Sequence, residues 1–393
     1  MASLEEYRAK KREEQERRDR RKKNLARFTV IFMSVVLVLV FLYYICFLSG
    51  WSYYNKGEDF VIEENIIKTV EKTSEKELVS KEYRDLSLVF ENGKLTAYNI
   101  SGKARWSLDV QVTNPILEVS GKYVLLAERS GKNVYIIKDG KIMLEYQTEY
   151  IISTADINKK GTVITVTDDN NYKNRVSVRK SSGKEIFVWH SATSYVVDAA
   201  ISDNQETVML TTLATYTKQD GKKEYTSGVK TFSIKEGKEI SNKEFEDSIA
   251  VSVFYAKNGY IVISDKEAVK YDNKGDHPKK YTFNGKCGKF SYDKPNLAVV
   301  YIDEHYNNHL VILNENLDVK AEKNLENITI DSLDMNTSVV CYRVDNEIYL
   351  LKPNLKVRYR IKTKSLYDDI VLFSRGKRVA AINENGVSII EAK

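Results

Sequence analysis

The sequence predicts an all-β protein: a seven- or eight-bladed β-propeller ectodomain, preceded by one transmembrane α-helix and a charged helical N-terminal tail. Three observations predict this arrangement. Residues 28–48 form an apolar run, a highly charged segment precedes it, and short alternating strands follow it at a period of about 35 to 50 residues. A helix over the run, at about 1.5 Å per residue, has a length of about 30 Å, which matches the hydrocarbon core of a bilayer.

The charges beside the apolar run predict its orientation. Residues 1–27 contain eleven Lys and Arg against six Asp and Glu, whereas the first dozen residues after the run contain only Lys56 as a basic residue. The positive-inside rule therefore predicts a cytoplasmic N-terminus and an extracellular C-terminal domain in a single-pass protein of the cell membrane. A cleaved signal peptide is the alternative, but its apolar core would be shorter, and Leu48 is a large residue at the nearest cleavage position.

The overall charge balance narrows the partners that the chain can have. The chain carries 61 basic and 55 acidic residues, a net charge of +6, and the tail holds most of this excess. A near-neutral ectodomain predicts no nucleic-acid partner. In the tail, pairs such as Glu6 and Lys10 favour an exposed helix. The tail could bind a cytoplasmic partner or anionic lipids, or its charges could only set the topology.

We assign residues 49–85 to a linker and residues 86–393 to the propeller. Each unit begins with an apolar strand rich in small residues, and a second and a third apolar strand follow. A fourth, more polar strand completes several units, as in KIMLEYQT, KEIFVWHS and KVRYRIKT. Radial stacking suits this pattern because neighbouring blades bury the faces of the inner strands and leave only short edges exposed.

The two ends of the domain predict how the ring closes. The last strand, VSIIEA, lies next to the C-terminus, so N-terminal strands are expected to complete the last blade. We interpret LSLVFE, KLTAYN and KARWSL as the N-terminal set. Together with the first strands of seven further units, this set is compatible with either seven or eight blades. A pair of β-sandwiches is the alternative architecture, but the even repeat disfavours it.

One stretch of the sequence resembles a known repeat. The segment SGKARWSLDV, followed by NPILEVSGKYVLLAERSGKNVYIIKDGK, resembles the quinoprotein-like (PQQ/WD-type) propeller repeat, in which a Trp-bearing outer strand follows a glycine turn. Trp106 and Trp189 take that place. The whole layout is similar to an uncharacterised family of single-pass, membrane-anchored propeller proteins of clostridial-type Gram-positive bacteria. The resemblance implies a fold and a location, and it provides no catalytic residues to transfer.

The sequence predicts no catalytic, cofactor-binding or metal-binding residues. A quinone cofactor would need aromatic walls at the axis, and Trp106 and Trp189 lie on outer strands, where they are expected to pack between blades. His305 and His309 have the i, i+4 spacing of a metal pair, but they fall in a hairpin turn, where this spacing does not bring both rings to one face. The turn 167–174 lacks the Gly and the closing Glu of a calcium loop, so we predict a plain hairpin.

The sequence allows two interpretations for each of two further groups of side chains. Asp156, Asp198 and Asp334 occupy similar positions near the first strands. They either line the axial channel together or accept hydrogen bonds from backbone amides at turns. Cys287 and Cys341 are expected to be free thiols that pack as small hydrophobic residues, although the sequence leaves their pairing open.

A long insertion is the best candidate for a docking site. Residues 212–230 predict an extended hairpin, and insertions on one face of a propeller often carry the binding site. We therefore expect a non-enzymatic interaction platform of the cell envelope, active in assembly or division. It contacts the bilayer through residues 28–48 and binds envelope proteins through the propeller. The alternatives are a transmembrane sensor of an external ligand and an enzyme that acts on wall polymers.

Overall fold

The computed structural model describes residues 17, 33–38, 40, 41, 43, 44, 61–74, 77–217, 221, 223–326, 328–373 and 376–392. The chain divides into two compact units, residues 1–60 and residues 61–393. In the first unit the described residues are helical, and no described helix has the length and apolarity that a bilayer crossing requires. The predicted tail (1–27) and transmembrane segment (28–48) lie mostly outside the described residues.

The second unit is an eight-bladed β-propeller, which confirms the predicted all-β propeller and selects eight blades over seven. Each blade is a four-stranded antiparallel meander, in which strand A is innermost and strand D is outermost. Blade 1 contains β3 (Val79–Tyr83), β4 (Leu86–Glu91), β5 (Lys94–Tyr98) and β6 (Ala104–Asp109). Blade 2 contains β7 (Pro115–Ser120), β8 (Tyr123–Glu128), β9 (Asn133–Lys138) and β10 (Lys141–Gln147).

The middle blades follow the same order. Blade 3 contains β11 (Ile152–Ile157), β12 (Val163–Thr167), β13 (Asn174–Arg179) and β14 (Glu185–Ser191). Blade 4 contains β15 (Tyr195–Ile201), β16 (Thr207–Thr217), β17 (Lys223–Ser233) and β18 (Lys238–Phe245). Blade 5 contains β19 (Ala250–Ala256), β20 (Gly259–Ser264), β21 (Glu267–Asp272) and β22 (Lys279–Thr282). Blade 6 contains β23 (Lys286–Asp293), β24 (Asn296–Ile302), β25 (Asn308–Asn314) and β26 (Val319–Asn324).

The last two blades include strands from the start of the unit. Blade 7 contains β27 (Ser332–Met335), β28 (Val340–Val344), β29 (Glu347–Leu351) and β30 (Val357–Lys362), and β1 (Val61–Glu63) adds a fifth, parallel strand beside β30. Blade 8 contains β31 (Asp369–Phe373), β32 (Arg378–Asn383) and β33 (Gly386–Glu391), and β2 (Asn65–Glu71) is its outer strand. The first strands of blades 8 and 1, β31 and β3, contact each other, so the ring is closed.

The closure confirms one expectation and corrects two. An N-terminal strand does complete the last blade, but that strand is β2, whereas the predicted set LSLVFE, KLTAYN and KARWSL forms the three outer strands of blade 1. The linker predicted over residues 49–85 contains β1, β2 and β3, so the propeller begins at Val61 rather than at Leu86. The physical reason is that β1 and β2 pair with strands about 300 residues away, so no local hairpin marks them.

Burial follows strand position within the blade. Strands β8 and β9 have four consecutive buried residues each, because neighbouring blades cover both of their faces. The outer strand β10 is mostly exposed and alternates. The two predicted packing tryptophans lie on outer strands: Trp106 makes an edge contact with Tyr83, and the Trp189 ring lies 4.8 Å from the Phe232 ring of blade 4. Trp189 therefore joins blades 3 and 4 through aromatic packing, whereas the contact between Trp106 and Tyr83 lies within blade 1.

Candidate functional site

The inner strands bring charged side chains to the axis of the ring. Lys81, Glu118, Asp156 and Asp198 line a cavity of about 600 Å³. Lys81 and Glu118 also line a second cavity of about 750 Å³, together with Asp334. Asp156 and Asp198 therefore share one part of the channel, while Asp334 lies in another. Lys81 and Glu118 form an ion pair, yet their side chains stay 41% and 36% exposed because the channel is open to water.

The aspartates of the channel connect neighbouring blades. Asp198 of blade 4 accepts hydrogen bonds from the Ser252 hydroxyl (2.6 Å) and the Val253 amide (3.0 Å) of blade 5. Asp334 of blade 7 accepts hydrogen bonds from the Ser291 hydroxyl of blade 6 (3.1 Å) and the Leu372 amide of blade 8 (2.7 Å). Asp198 and Asp334 thus line different parts of the channel, and the backbone amides of neighbouring blades that donate hydrogen bonds to them lie in strands β19 and β31 rather than in turns.

A further carboxylate, that of Asp369, joins blades 7 and 8 and was not predicted from the sequence. Asp369 accepts a short hydrogen bond from the Ser332 hydroxyl of the preceding blade. Lys81 and Glu118 were missed as well. Glu118 and Asp369 lie in apolar inner strands, β7 (PILEVS) and β31 (DIVLF), where a carboxylate among apolar residues was the available signal. Lys81 lies in β3 (VSKEY), which is too polar to stand out from the surrounding turns.

Burial in the channel changes the charge states of these groups. It raises the pKa of Asp156 to about 8, and repulsion from Glu118 adds to the effect. It raises the pKa of Asp334 to about 6, and it raises the pKa of Asp198 as well. Burial lowers the pKa of Lys81, but attraction to Glu118 outweighs this effect and leaves the pKa above its usual value. Near neutral pH, the Asp156 carboxyl is therefore mostly protonated.

The histidine pair is divided between a turn and a strand. His305 lies in the turn between β24 and β25, whereas His309 lies in β25, with its Nε2 atom 3.0 Å from the Asp303 carboxylate and its ring stacked on Tyr301. Asp303 also accepts hydrogen bonds from the amides of His305 and Asn307. The hydrogen bond to His309, followed by those from the turn amides, lowers the pKa of Asp303. The carboxylate therefore holds the turn.

No metal centre is built elsewhere in the described part of the chain. Among the described residues, no group of three or more His, Cys, Asp or Glu side chains is placed to hold a metal ion. In the turn after β12, Asp169 accepts hydrogen bonds from the Asn171 amide and contacts the His190 ring nitrogen at 2.9 Å. Cys287 and Cys341 are free thiols on blades 6 and 7.

The predicted hairpin is present in blade 4. Strands β16 and β17 have eleven residues each and pair along their whole length. Their pairing with β15 and β18 ends at Leu213 and Ser227, so the last four residue pairs of the hairpin extend beyond the blade. The tip, residues 218–220 and 222, lies outside the described residues. The structure confirms an extended hairpin and places it on one face of the ring.

These features define the class of the protein: an eight-bladed β-propeller whose axial carboxylates tie its blades together. The chain belongs to the family of unknown function DUF5711, whose model matches residues 61–391. Among solved structures it is similar to BamB from Moraxella catarrhalis, with 12% identity, a TM-score of 0.54, and coverage of 84% of this chain and 100% of that one.

A second solved structure supports the same architecture. The computationally designed Ika8 protein has 12% identity and a TM-score of 0.58, and the match covers 83% of this chain and 99% of that one. At such identities the similarity concerns the fold alone. The comparison with curated proteins gave no significant match.

Proposed function

We propose that this protein is a non-enzymatic interaction platform of a bacterial cell envelope, anchored by a helix over residues 28–48 with its propeller outside. One observation carries the proposal. Two of the carboxylates at the axis, Asp198 and Asp334, are engaged in hydrogen bonds between blades, whereas the longest hairpin extends beyond the ring. A rigid closed ring presents loops at fixed positions, which suits protein binding. The similarity to a propeller named BamB supports the fold of such a platform.

The anchor rests on the apolar run and on the charges beside it. Its 21 residues match the bilayer thickness, and eleven basic residues precede them. The sequence is similar to clostridial-type Gram-positive propeller proteins, which favours a single-membrane envelope. The basic tail is proposed to lie in the cytoplasm, where a protein partner or anionic lipids could bind it.

Protease treatment of wall-stripped cells tests the anchor and its orientation. We expect external protease to remove the propeller and to leave a short membrane-bound fragment, because residues 1–27 would lie inside the cell and residues 28–48 within the bilayer. Immunoblots with tags at each terminus follow the two parts, and a cytoplasmic protein serves as the control for cell integrity. A propeller that stays intact under these conditions would contradict the proposed orientation.

Shortening the hairpin of blade 4 tests the platform. In the shortened chain, an Asn-Gly turn replaces residues 214–226 and connects Leu213 to Ser227. This chain should keep its melting temperature, because the removed residues lie beyond the four-stranded part of the blade. Recovery of crosslinked protein partners from its own membranes should fall. The matched control is the double substitution His305→Ala and His309→Ala, which changes the turn after β24 and the start of β25 on the same face and should leave recovery unchanged. Loss of cellular function in the control, with a dispensable hairpin, would favour a metal-dependent activity instead.

A further inference from the structure

The two faces of the ring differ in charge. In an antiparallel meander, the A–B and C–D turns lie at one end of each blade, which we call the A–B face. The B–C turns and the connections to the next blade lie at the other end, the B–C face. In the described loops, the B–C face carries fourteen acidic and six basic residues, whereas the A–B face carries fourteen basic and eight acidic residues. The B–C face is therefore the negative end of the propeller.

In the described loops, exposed large apolar side chains also concentrate on the B–C face, where they are Ile151, Tyr172, Tyr306, Ile328 and Leu366. Tyr195 and Tyr225, which are 53% and 46% exposed, and Val251 lie near strand ends at the same face, although strand ends at the A–B face expose Met143 and Val319 as well. In the described loops of the A–B face, Ile100 is the only exposed large apolar residue. Apolar side chains that gather on one face of a soluble domain mark an interaction surface.

Exposed residues lie at the B–C ends of blades 3, 4 and 5, which are neighbours in the ring. Lys173, next to Tyr172, places its Nζ atom 5.0 Å from the Tyr195 ring centroid. Tyr195 pairs with Leu213 at the base of the hairpin that carries Tyr225. On the other side of the hairpin, the Ala250 amide next to Val251 donates a hydrogen bond to the Ser227 hydroxyl at 2.9 Å. We call Ile151, Tyr172, Tyr195, Tyr225 and Val251 the aromatic strip.

We propose that the aromatic strip binds an extended segment of a partner protein in which Lys or Arg residues flank apolar anchors. This inference rests on the proposed function, since it names the surface and the partner chemistry of the platform. The exposed carboxylates of Glu149, Asp168, Glu246 and Asp247 flank the strip. They attract a basic segment and repel anionic lipids and acidic polymers. Aromatic anchors surrounded by charge supply most of the affinity in such interfaces.

Site-specific photo-crosslinking in the native membrane tests the strip. A photo-reactive phenylalanine derivative replaces Tyr225 in one full-length chain, Tyr172 in a second and Ile100 in a third. We expect protein adducts from the first two chains, and mass spectrometry should identify their captured peptides as rich in Lys or Arg beside apolar residues. The adducts should disappear at about 1 M salt, where the screening length falls to about 3 Å.

A second substitution tests whether the strip itself supplies the affinity. Adding Tyr195→Ser to the Tyr225 probe chain should lower the adduct yield about tenfold, as expected for the loss of an aromatic anchor. Tyr306→Ser is the matched control, since Tyr306 is 82% exposed on the same face but lies in blade 6. An equal loss in both chains would contradict the strip.

The remaining outcomes separate this inference from the proposed function. Equal protein adducts from Ile100 would overturn the strip and leave the platform standing. Adducts to a second copy of the chain, to lipid or to acidic peptides would overturn the proposed partner chemistry. An absence of protein adducts from Tyr225 and Tyr172 would overturn the strip, and recovery of crosslinked partners with the unmodified chain would then decide whether the platform stands.

Discussion

A chain that begins at Lys72 is expected to lose cooperative unfolding and to aggregate. This truncation removes β1 and β2, so that blade 8 has only three strands and the edge of β33 is exposed. It also removes Ile67 and Val70, which pack against the core between blades 8 and 1. Because a propeller gains its stability from closure, an open ring exposes apolar surface at both ends of the break.

A chain that begins at Val61 is the matched control for this truncation. It keeps every strand of the propeller, so it should melt in a single transition at the temperature of the full-length protein. Circular dichroism melts and size-exclusion chromatography of the two chains provide the comparison. If the chain from Lys72 kept the same transition and stayed monomeric, blade 8 would be stable with three strands, and β2 would not close the ring.

The repeating part of the fold could be predicted from the sequence because its signals are local. Buried strands such as YVLLAE and polar outer strands such as KIMLEYQ follow one another with short turns between them, and the structure places both as predicted. The sequence predicted that an N-terminal strand completes the last blade, but it did not identify that strand. Strand β2 has the mixed burial of an edge strand, and its partner β33 lies at the other end of the chain, so nothing local identifies it.

The candidate sites were predictable to a smaller extent. Asp156, Asp198 and Asp334 were recognised at the inner strands, but Lys81 was not, because β3 (VSKEY) has too few apolar residues to be recognised as a strand. The aromatic strip was also missed. Its residues are far apart in the sequence, and only the stacking of blades 3 to 5 brings them to one face. The long hairpin was found because an insertion interrupts the regular period.

Two of the channel aspartates, Asp334 and Asp156, are expected to respond in opposite ways to substitution. Asp334→Ala should lower the free energy of unfolding by about 2–4 kcal/mol, since it leaves the Leu372 amide and the Ser291 hydroxyl without their acceptor. Asp334→Asn keeps one acceptor oxygen and should cost less. By contrast, among the hydrogen bonds of the described residues, Asp156 accepts none from a neighbouring blade. Asp156→Asn therefore leaves the links between blades intact.

The pH dependence of stability distinguishes the two positions. The pKa of Asp156 is about 8 in the folded protein against 3.8 in the unfolded chain, so the folded state holds a proton that the unfolded state has lost. This contribution to stability is therefore greatest at acidic pH and declines as the pH rises from about 4 to about 8. Asp156→Asn has no such proton to lose. It should match the wild type near pH 4 and exceed its free energy of unfolding by about 4–6 kcal/mol at pH 9, since each pKa unit corresponds to about 1.4 kcal/mol.

Urea denaturation of the three variants and the wild type across this pH range measures both effects. Asp334→Ala should be the least stable protein at every pH, because its loss is a hydrogen-bond loss. Because Asp334 and Asp198 also titrate with raised pKa values in both proteins, the informative quantity is the difference in free energy of unfolding between Asp156→Asn and the wild type. If this difference did not grow between pH 4 and pH 8, the Asp156 carboxyl would be ionised in the channel, and Lys81 would neutralise Asp156 as well as Glu118.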